Sequence, residues 1–246
     1  MSYVYVGTEL DLFASAEHWK LYVRRQVQAF LGRQVLEVGA GHGGTTRVLC
    51  DDRPERWLCL EPDSSLADRL ISSISGGELP DCCEARNGTL ADLDEGDRFD
   101  TILYMDVLEH IDDDRAELAR AAEKLQEGGC LIVLAPAHLW LFTAFDEGIG
   151  HFRRYTKHTL KAVAPDGLAL ARLAYLDSIG MLASLGNKFV LKSAMPSPGQ
   201  IAVWDRLMVP LSRLVDPFFG YSLGKSVLAV WRKPNRNDRR RADSRD

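Results

Sequence analysis

The first rhythm along the chain is helical. Between Glu9 and Leu31 the apolar residues Leu12, Phe13, Ala16, Trp19, Val23, Val27 and Phe30 recur with charge between them, predicting one or two amphipathic helices. A short apolar run, Gln34 to Val38, stops at a glycine cluster, and helix resumes from Thr45 to Cys50. Arg56 to Leu60 predicts a second strand, and Ser64 to Ile74 a helix with Asp63 or Ser64 as its cap. Asp81 to Arg86 is a weaker third strand and Phe99 to Tyr104 a stronger fourth. A helix from Asp113 to Leu125 follows, then the Gly128-Gly129 turn signal and a fifth strand, Cys130 to Ala135. Strand and helix alternate regularly, which predicts a mostly parallel sheet with helices on both faces.

After Pro136 the pattern changes. A polar and aromatic segment runs to Tyr155, then a helix from Thr159, a strand near Leu168 to Tyr175, an apolar helical region and a last strand at Ser226 to Trp231. There is no internal repeat and no linker-like stretch. One domain over residues 1–233 is expected, followed at 234–246 by a solvated, disordered tail in which Arg236, Arg239, Arg240, Arg241 and Arg245 are interspersed with acids.

Composition narrows the class without naming it. The 246 residues are 46% hydrophobic and 26% charged, ordinary for a globular enzyme, and a net charge of -5 argues against a general nucleic-acid binder. Five cysteines without a CxxC pair or zinc-like spacing suit a reducing cytoplasm: Cys59 and Cys130 sit in strand-like runs and Cys50 closes a helix. The N-terminus shows no signal-peptide pattern. The apolar region Ile179 to Phe219 is broken by Lys188, Lys192, Asp205, Arg206, Arg213 and prolines, so it is not a membrane span; helices over a pocket, a homodimer face and a peripheral lipid contact all stay open.

The densest chemistry follows the first strand, in Val35-Leu36-Glu37-Val38-Gly39-Ala40-Gly41-His42-Gly43-Gly44-Thr45-Thr46. Glycines after a buried strand let the backbone turn sharply and approach a ligand, and the next helix offers free N–H groups to it. Two templates fit. Gly39, Gly41 and Gly44 match the dinucleotide pattern GxGxxG, which with Glu61 at the end of the next strand suits an NAD-dependent oxidoreductase. Glu37, Gly39, Gly41 and Gly43 match an acidic GxGxG pattern instead. A carboxylate at Glu37 would repel a pyrophosphate and attract a cationic amino-acid group.

Phe99-Asp100-Thr101-Ile102-Leu103-Tyr104-Met105-Asp106-Val107-Leu108-Glu109-His110-Ile111 resembles the segment after the fourth strand in class I S-adenosylmethionine-dependent methyltransferases. With the glycine loop, the Leu60-Glu61-Pro62-Asp63 turn and the Gly128-Gly129 approach to the fifth strand, the resemblance covers Gln34 to Ala135. It implies a Rossmann-like, seven-stranded α/β fold: N-terminal helices over 1–33, a cofactor-binding core over 34–135, and a substrate-side region with the last strands over 136–233. It also implies the cofactor S-adenosylmethionine, with S-adenosylhomocysteine as product. Glu37 and the backbone of Gly39, Ala40, Gly41 and Gly43 would hold the methionine part, Glu61 the ribose, and Gly88, Thr89 and Leu90 would flank adenine, with Thr45 and Pro62 also at the cofactor. Thr89 stands where such proteins often carry aspartate. Asp106 and Val107 would form the floor beneath the sulfonium, His110 would line the pocket, and Trp19 or Tyr22 would close over it.

Ligands bind open α/β sheets at the carboxyl ends of strands, so Pro136 to Tyr155 should border the transferred methyl. Asp146 to Tyr155 is similar to a D-x-x-x-G-H-x-R-R-Y segment of a bacterial methyltransferase subgroup associated with glycans and secondary metabolites. A hydroxyl acceptor needs a base, and His151 is the leading candidate, with Asp146 orienting it. Arg153, Arg154 and Tyr155 would bind a polar or anionic small molecule, unless Arg154 instead locks the loop through Asp146. No acid or histidine spacing suggests a metal, and Asp112-Asp113-Asp114 reads as an acidic helix start. A cofactor-binding chain without catalysis remains the third reading.

Overall fold

The computed structural model describes residues 9–186 and 196–235; the expected breaks at Lys188 and Lys192 and the arginine tail from Arg236 lie outside the described residues. Seven strands form one sheet: β1 (Gln34–Val38), β2 (Arg56–Glu61), β3 (Cys83–Asn87), β4 (Phe99–Met105), β5 (Leu125–Pro136), β6 (Ala169–Leu176) and β7 (Ser226–Arg232). Their order is β3-β2-β1-β4-β5-β7-β6, and β7 runs antiparallel to both its neighbours while β1 to β5 are parallel. This is the Rossmann-like, seven-stranded α/β fold expected from the sequence.

Each strand of the inner sheet is buried on both faces, which is why these runs are continuously apolar instead of alternating. Along β1, Val35 enters one core with Tyr22, Leu49 and Leu70, while Leu36 and Val38 enter the other with Leu118 and Leu160. The two faces are covered by α1 (Glu9–Phe13), α2 (Glu17–Val27), α3 (Thr46–Leu49), α4 (Ser64–Ser75), α5 (Asp114–Lys124), α6 (Ala144–Gly148) and α7 (Lys157–Ala162). Asp63 caps α4, accepting from the N–H groups of Ser65 and Leu66 at 2.8 and 3.0 Å. The helix expected from Thr159 starts two residues earlier because Thr156 is its cap. β5 begins at Leu125, not Cys130.

The C-terminal helices are α8 (Ser178–Gly186), α9 (Pro198–Val203) and α10 (Val209–Val215), the last two joined through a π-helical turn at Trp204–Met208. Buried carboxylates fasten them. Asp216 accepts from the Tyr22 hydroxyl at 2.7 Å, the Asp177 N–H at 2.8 Å, the Ser178 N–H at 3.1 Å, and the Ser178 hydroxyl. Asp177 accepts from Trp204 Nε1 and the Ser212 hydroxyl, both at 2.6 Å. Asp205 accepts from the backbone N–H groups of His18 and Trp19, capping α2 from the far end of the chain. The outer face is apolar: Val203, Leu207, Leu211, Leu214 and Phe218 are exposed, Phe218 to 90%. No helix among the described residues is long and apolar enough to cross a membrane.

Candidate active site

A cavity of about 990 Å³ opens at the carboxyl ends of β1, β2, β4 and β5, bordered by α1, α2 and the C-terminal helices. Its first wall is built from one short stretch of chain. Gly39 and Gly41 adopt left-handed backbone at φ 68° and 57°, and a Cβ on Gly39 would lie 2.7 Å from the Val107 side chain. That turn brings the Gly41 N–H within 2.8 Å of Glu61 Oε2, while Glu61 Oε1 accepts from the Asp63 N–H at 3.0 Å. Each carboxylate oxygen so held keeps a second acceptor position. Glu37 is buried at the end of β1, where Thr46 Oγ1 and Trp57 Nε1 donate to it at 2.7 and 2.8 Å. Burial pushes the Glu37 carboxyl up to about 7, with those two donors pulling it the other way. A cationic ligand group beside it would favour the ionised form.

The opposite wall is assembled from distant segments. Asp106 directly follows β4 in left-handed backbone at φ 55°, open to the cavity on its floor, and desolvation by the surrounding walls raises its carboxyl to about 6. Glu109 follows in the next turn and is 0% exposed, with neither carboxylate oxygen hydrogen-bonded. Burial, first, and then the charge of Asp106 raise its carboxyl well above the usual range. His151 Nδ1 lies 3.0 Å from Asp146 Oδ1, and its Nε2 lies 3.8 Å from Glu109 Oε1. The His151 ring meets the edge of His110 at 4.5 Å between centroids. Burial lowers His110 to about 4, helped by His151 and opposed by the Gly150 backbone. Arg154 grips Asp146 with both Nε and Nη2, at 2.8 and 3.0 Å. Just before β7 the ammonium of Lys225 sits 3.8 Å from the centre of the Trp204 ring and 3.5 Å from Asp177 Oδ2.

The structure brings Trp19, Glu37, Gly39, Ala40, Gly41, Thr45, Glu61, Pro62, Asp106, Val107, His110, Asp146, His151 and Arg154 onto this one cavity. It does not bring the others there. Tyr155 turns into the core, its hydroxyl 2.6 Å from Asp114 Oδ2, so the acceptor contact expected of it gives way to anchoring α5. Gly43 faces Leu70 and Leu79. Thr89 caps the turn Leu90–Asp92, donating its hydroxyl to Asp92, and Leu90 is buried in the core. Tyr22 is spent on Asp216, leaving Trp19 as the aromatic residue of α2 on the cavity.

Lys20, Glu109 and Lys225 also line the cavity and were not singled out from sequence; Trp204, from the apolar C-terminal region, joins them. Glu109 was legible only as an acid inside an apolar turn, and Lys225 only as an isolated charge before the last strand. The sequence spacing suggested no metal, and the fold gathers two groups of potential ligand atoms that the spacing did not show. Glu109, His110 and His151 present ligand atoms within 4.8 Å of one another, and so do Cys50, Cys82 and Cys83. Both groups depend on pairings that short-range spacing does not reveal.

A seven-stranded sheet with β7 reversed, a glycine turn after β1, a carboxylate ending β2 and a cavity across both define an S-adenosylmethionine-dependent methyltransferase of class I. The chain belongs to the methyltransferase domain family, whose model matches residues 15–166. It is 28% identical over 121 residues to a ubiquinone biosynthesis O-methyltransferase of Bradyrhizobium sp. (strain ORS 278), a match covering 47% of this chain and 45% of that one. The chain thus spans less than half the length of that relative. Among solved structures, a putative sarcosine dimethylglycine methyltransferase from Galdieria sulphuraria aligns with TM-score 0.60 at 19% identity, over 89% of this chain and 85% of that one. The N-methyltransferase NodS from Bradyrhizobium japonicum WM9, in complex with S-adenosyl-L-homocysteine, aligns with TM-score 0.58 at 15% identity, over 94% and 93%. The oxidoreductase alternative falls with this family, and S-adenosylmethionine is the cofactor.

Proposed function

We propose that the protein methylates a hydroxyl group of a small molecule bound against Asp106, His151 and Lys225. The observation that carries this reading is the Asp146–His151 pair, 3.0 Å apart, on the cavity wall beside the floor residue Asp106. The relative from Bradyrhizobium sp. is named an O-methyltransferase, in agreement with it. S-adenosylmethionine supplies an electrophilic methyl group. Glu61 would accept from ribose hydroxyls, the Gly39–Gly41 backbone would cradle the methionine end, and Glu37 would face its ammonium. These residues fit the cofactor because the wall pairs buried carboxylates with a glycine turn.

An alcohol or phenol is a poor nucleophile until its proton leaves. Asp146, held ionised by His151 and Arg154, fixes the imidazole so that Nε2 is available to take that proton. Lys225, which burial disfavours as a cation, would pair with an acidic hydroxyl or a neighbouring anionic group of the acceptor. The remaining contribution is alignment of oxygen, methyl and sulfur in line.

The test is an acceptor screen of phenols, sugars and hydroxylated metabolites with radiolabelled cofactor. Wild type should transfer label to a hydroxyl-bearing acceptor, and His151→Ala should lose roughly 100-fold or more while retaining S-adenosylhomocysteine binding. Label appearing on amines alone, indifferent to His151→Ala, would overturn the reading.

A further inference from the structure

We propose that Glu109, His110 and His151 form a divalent-cation site at the acceptor end of the cavity, suited to a borderline ion such as Mn²⁺, Fe²⁺ or Zn²⁺. The inference rests on reading this end as the acceptor side, but the geometry stands without it. One ligand atom from each residue lies within 4.8 Å of the other two. Bonds of about 2.0–2.2 Å to a shared ion would draw such atoms in by roughly an ångström, a side-chain adjustment.

Glu109 is the second and independent observation. A fully buried carboxylate with both oxygens lacking any hydrogen bond is costly, and buried charges otherwise come paired or coordinate metals. Every other buried acid around the cavity whose bonds are described above has donors: Glu37, Glu61 and Asp146 each accept at least two. Glu109 accepts none, and His151 Nε2 stands 3.8 Å from its Oε1.

The surroundings resemble the outer shell of a metal centre. Metal-binding histidines almost always place a carboxylate or carbonyl behind the ring nitrogen that does not bind. Asp146 stands behind His151 Nδ1, so Nε2 is the atom that faces Glu109. The Gly150 backbone stands behind His110. Asp106, electrostatically coupled to both His151 and Glu109, brings a further carboxylate to the same floor. Two imidazoles with carboxylates favour first-row transition ions over Mg²⁺ or Ca²⁺, which prefer all-oxygen sets.

The cavity leaves the remaining coordination positions open to an acceptor, best filled by two adjacent oxygens such as a vicinal diol or a catechol. A cation there also changes the part played by His151. Its Nε2 lone pair is then engaged, and the acceptor hydroxyl ionises because the neighbouring positive charge lowers its pKa.

The experiment uses the full chain stripped with a chelator and titrated calorimetrically with Mn²⁺, Zn²⁺ and Mg²⁺, with S-adenosylhomocysteine titrated in parallel. The expected result is one Mn²⁺ or Zn²⁺ per chain, bound more tightly than Mg²⁺. Asp146→Asn should weaken it roughly 10–100-fold, as outer-shell changes do, and Glu109→Gln by more. Without cation, Glu109→Gln should melt no lower than wild type, because a neutral amide replaces an unpartnered carboxylate. Should that variant fail to fold, His151→Asn removes a ligand and gives the same readout. No binding by the wild type at millimolar cation, or equal binding by the ligand variants, overturns the site. Loss of S-adenosylhomocysteine binding with cation binding intact would instead strike the cofactor assignment.

Discussion

The two walls of the cavity are built on opposite plans. The wall formed by Glu37, the Gly39–Gly41 turn and Glu61 comes from about 25 consecutive residues, and its carboxylates are satisfied by backbone and side-chain donors. The wall formed by Asp106, Glu109, His151 and Lys225 comes from three separated segments, and at Glu109 it leaves a buried carboxylate with no donor. The first wall is complete in the protein alone. On the proposed reading, the second is finished by what binds to it.

The largest effect should come from the frame on which the second wall stands. Asp216→Ala unmakes four hydrogen bonds at once and should cost about 4 kcal/mol in denaturant unfolding. An effect under about 1 kcal/mol would mean that the C-terminal helices are held by packing alone. Glu61→Ala should weaken S-adenosylhomocysteine by about 3 kcal/mol, roughly 100-fold, measured by calorimetry. Divalent-cation affinity should be unchanged in the same variant, and a parallel loss there would erase the distinction between the walls.

The pH dependence of cofactor binding is a smaller effect. Glu37 has its folded pKa raised to about 7 from 4.5, so the fold favours the protonated acid. The free protein therefore loses stability as pH rises between those values, and it levels off above the folded pKa. A bound ammonium reverses the preference. Affinity for S-adenosylhomocysteine should then rise about tenfold between roughly pH 6 and 8, and the rise should flatten in Glu37→Gln. The smallest expected effect is Phe218→Asp, on the outer apolar face, which should shift stability by no more than about 0.5 kcal/mol. Trp204→Asp, on the inner face, should unfold the C-terminal helices.

The same difference explains what could be read in advance. β1, the glycine turn, Glu61 and the Asp63 cap are local features, in which neighbours in sequence are neighbours in space. The sheet followed from the alternation of elements. The second wall depends on where β4 and β5 end and β7 begins relative to one another, which periodicity does not encode. Tyr155 sits beside Arg154 in sequence yet points into the opposite core. Glu109 was visible as a residue, but its lack of donors is a property of everything packed around it. In the C-terminal third, Trp204 is buried while Phe218, in the turn after α10, is exposed, a difference set by tertiary packing that two aromatic residues in one apolar region do not announce.

The carboxylates that hold α2 have a consequence for how the protein is made. The backbone amides of His18 and Trp19 are answered by Asp205, and the Tyr22 hydroxyl by Asp216, 194 residues further on. During synthesis the sheet strands that carry the glycine turn leave the ribosome long before those acids do. Trp19 then has no fixed place on the cavity until translation has passed Asp216, so a nascent chain exposes an unfinished cavity until that point. Completion of the cavity becomes a late event in the life of the polypeptide, timed by residues outside its lining.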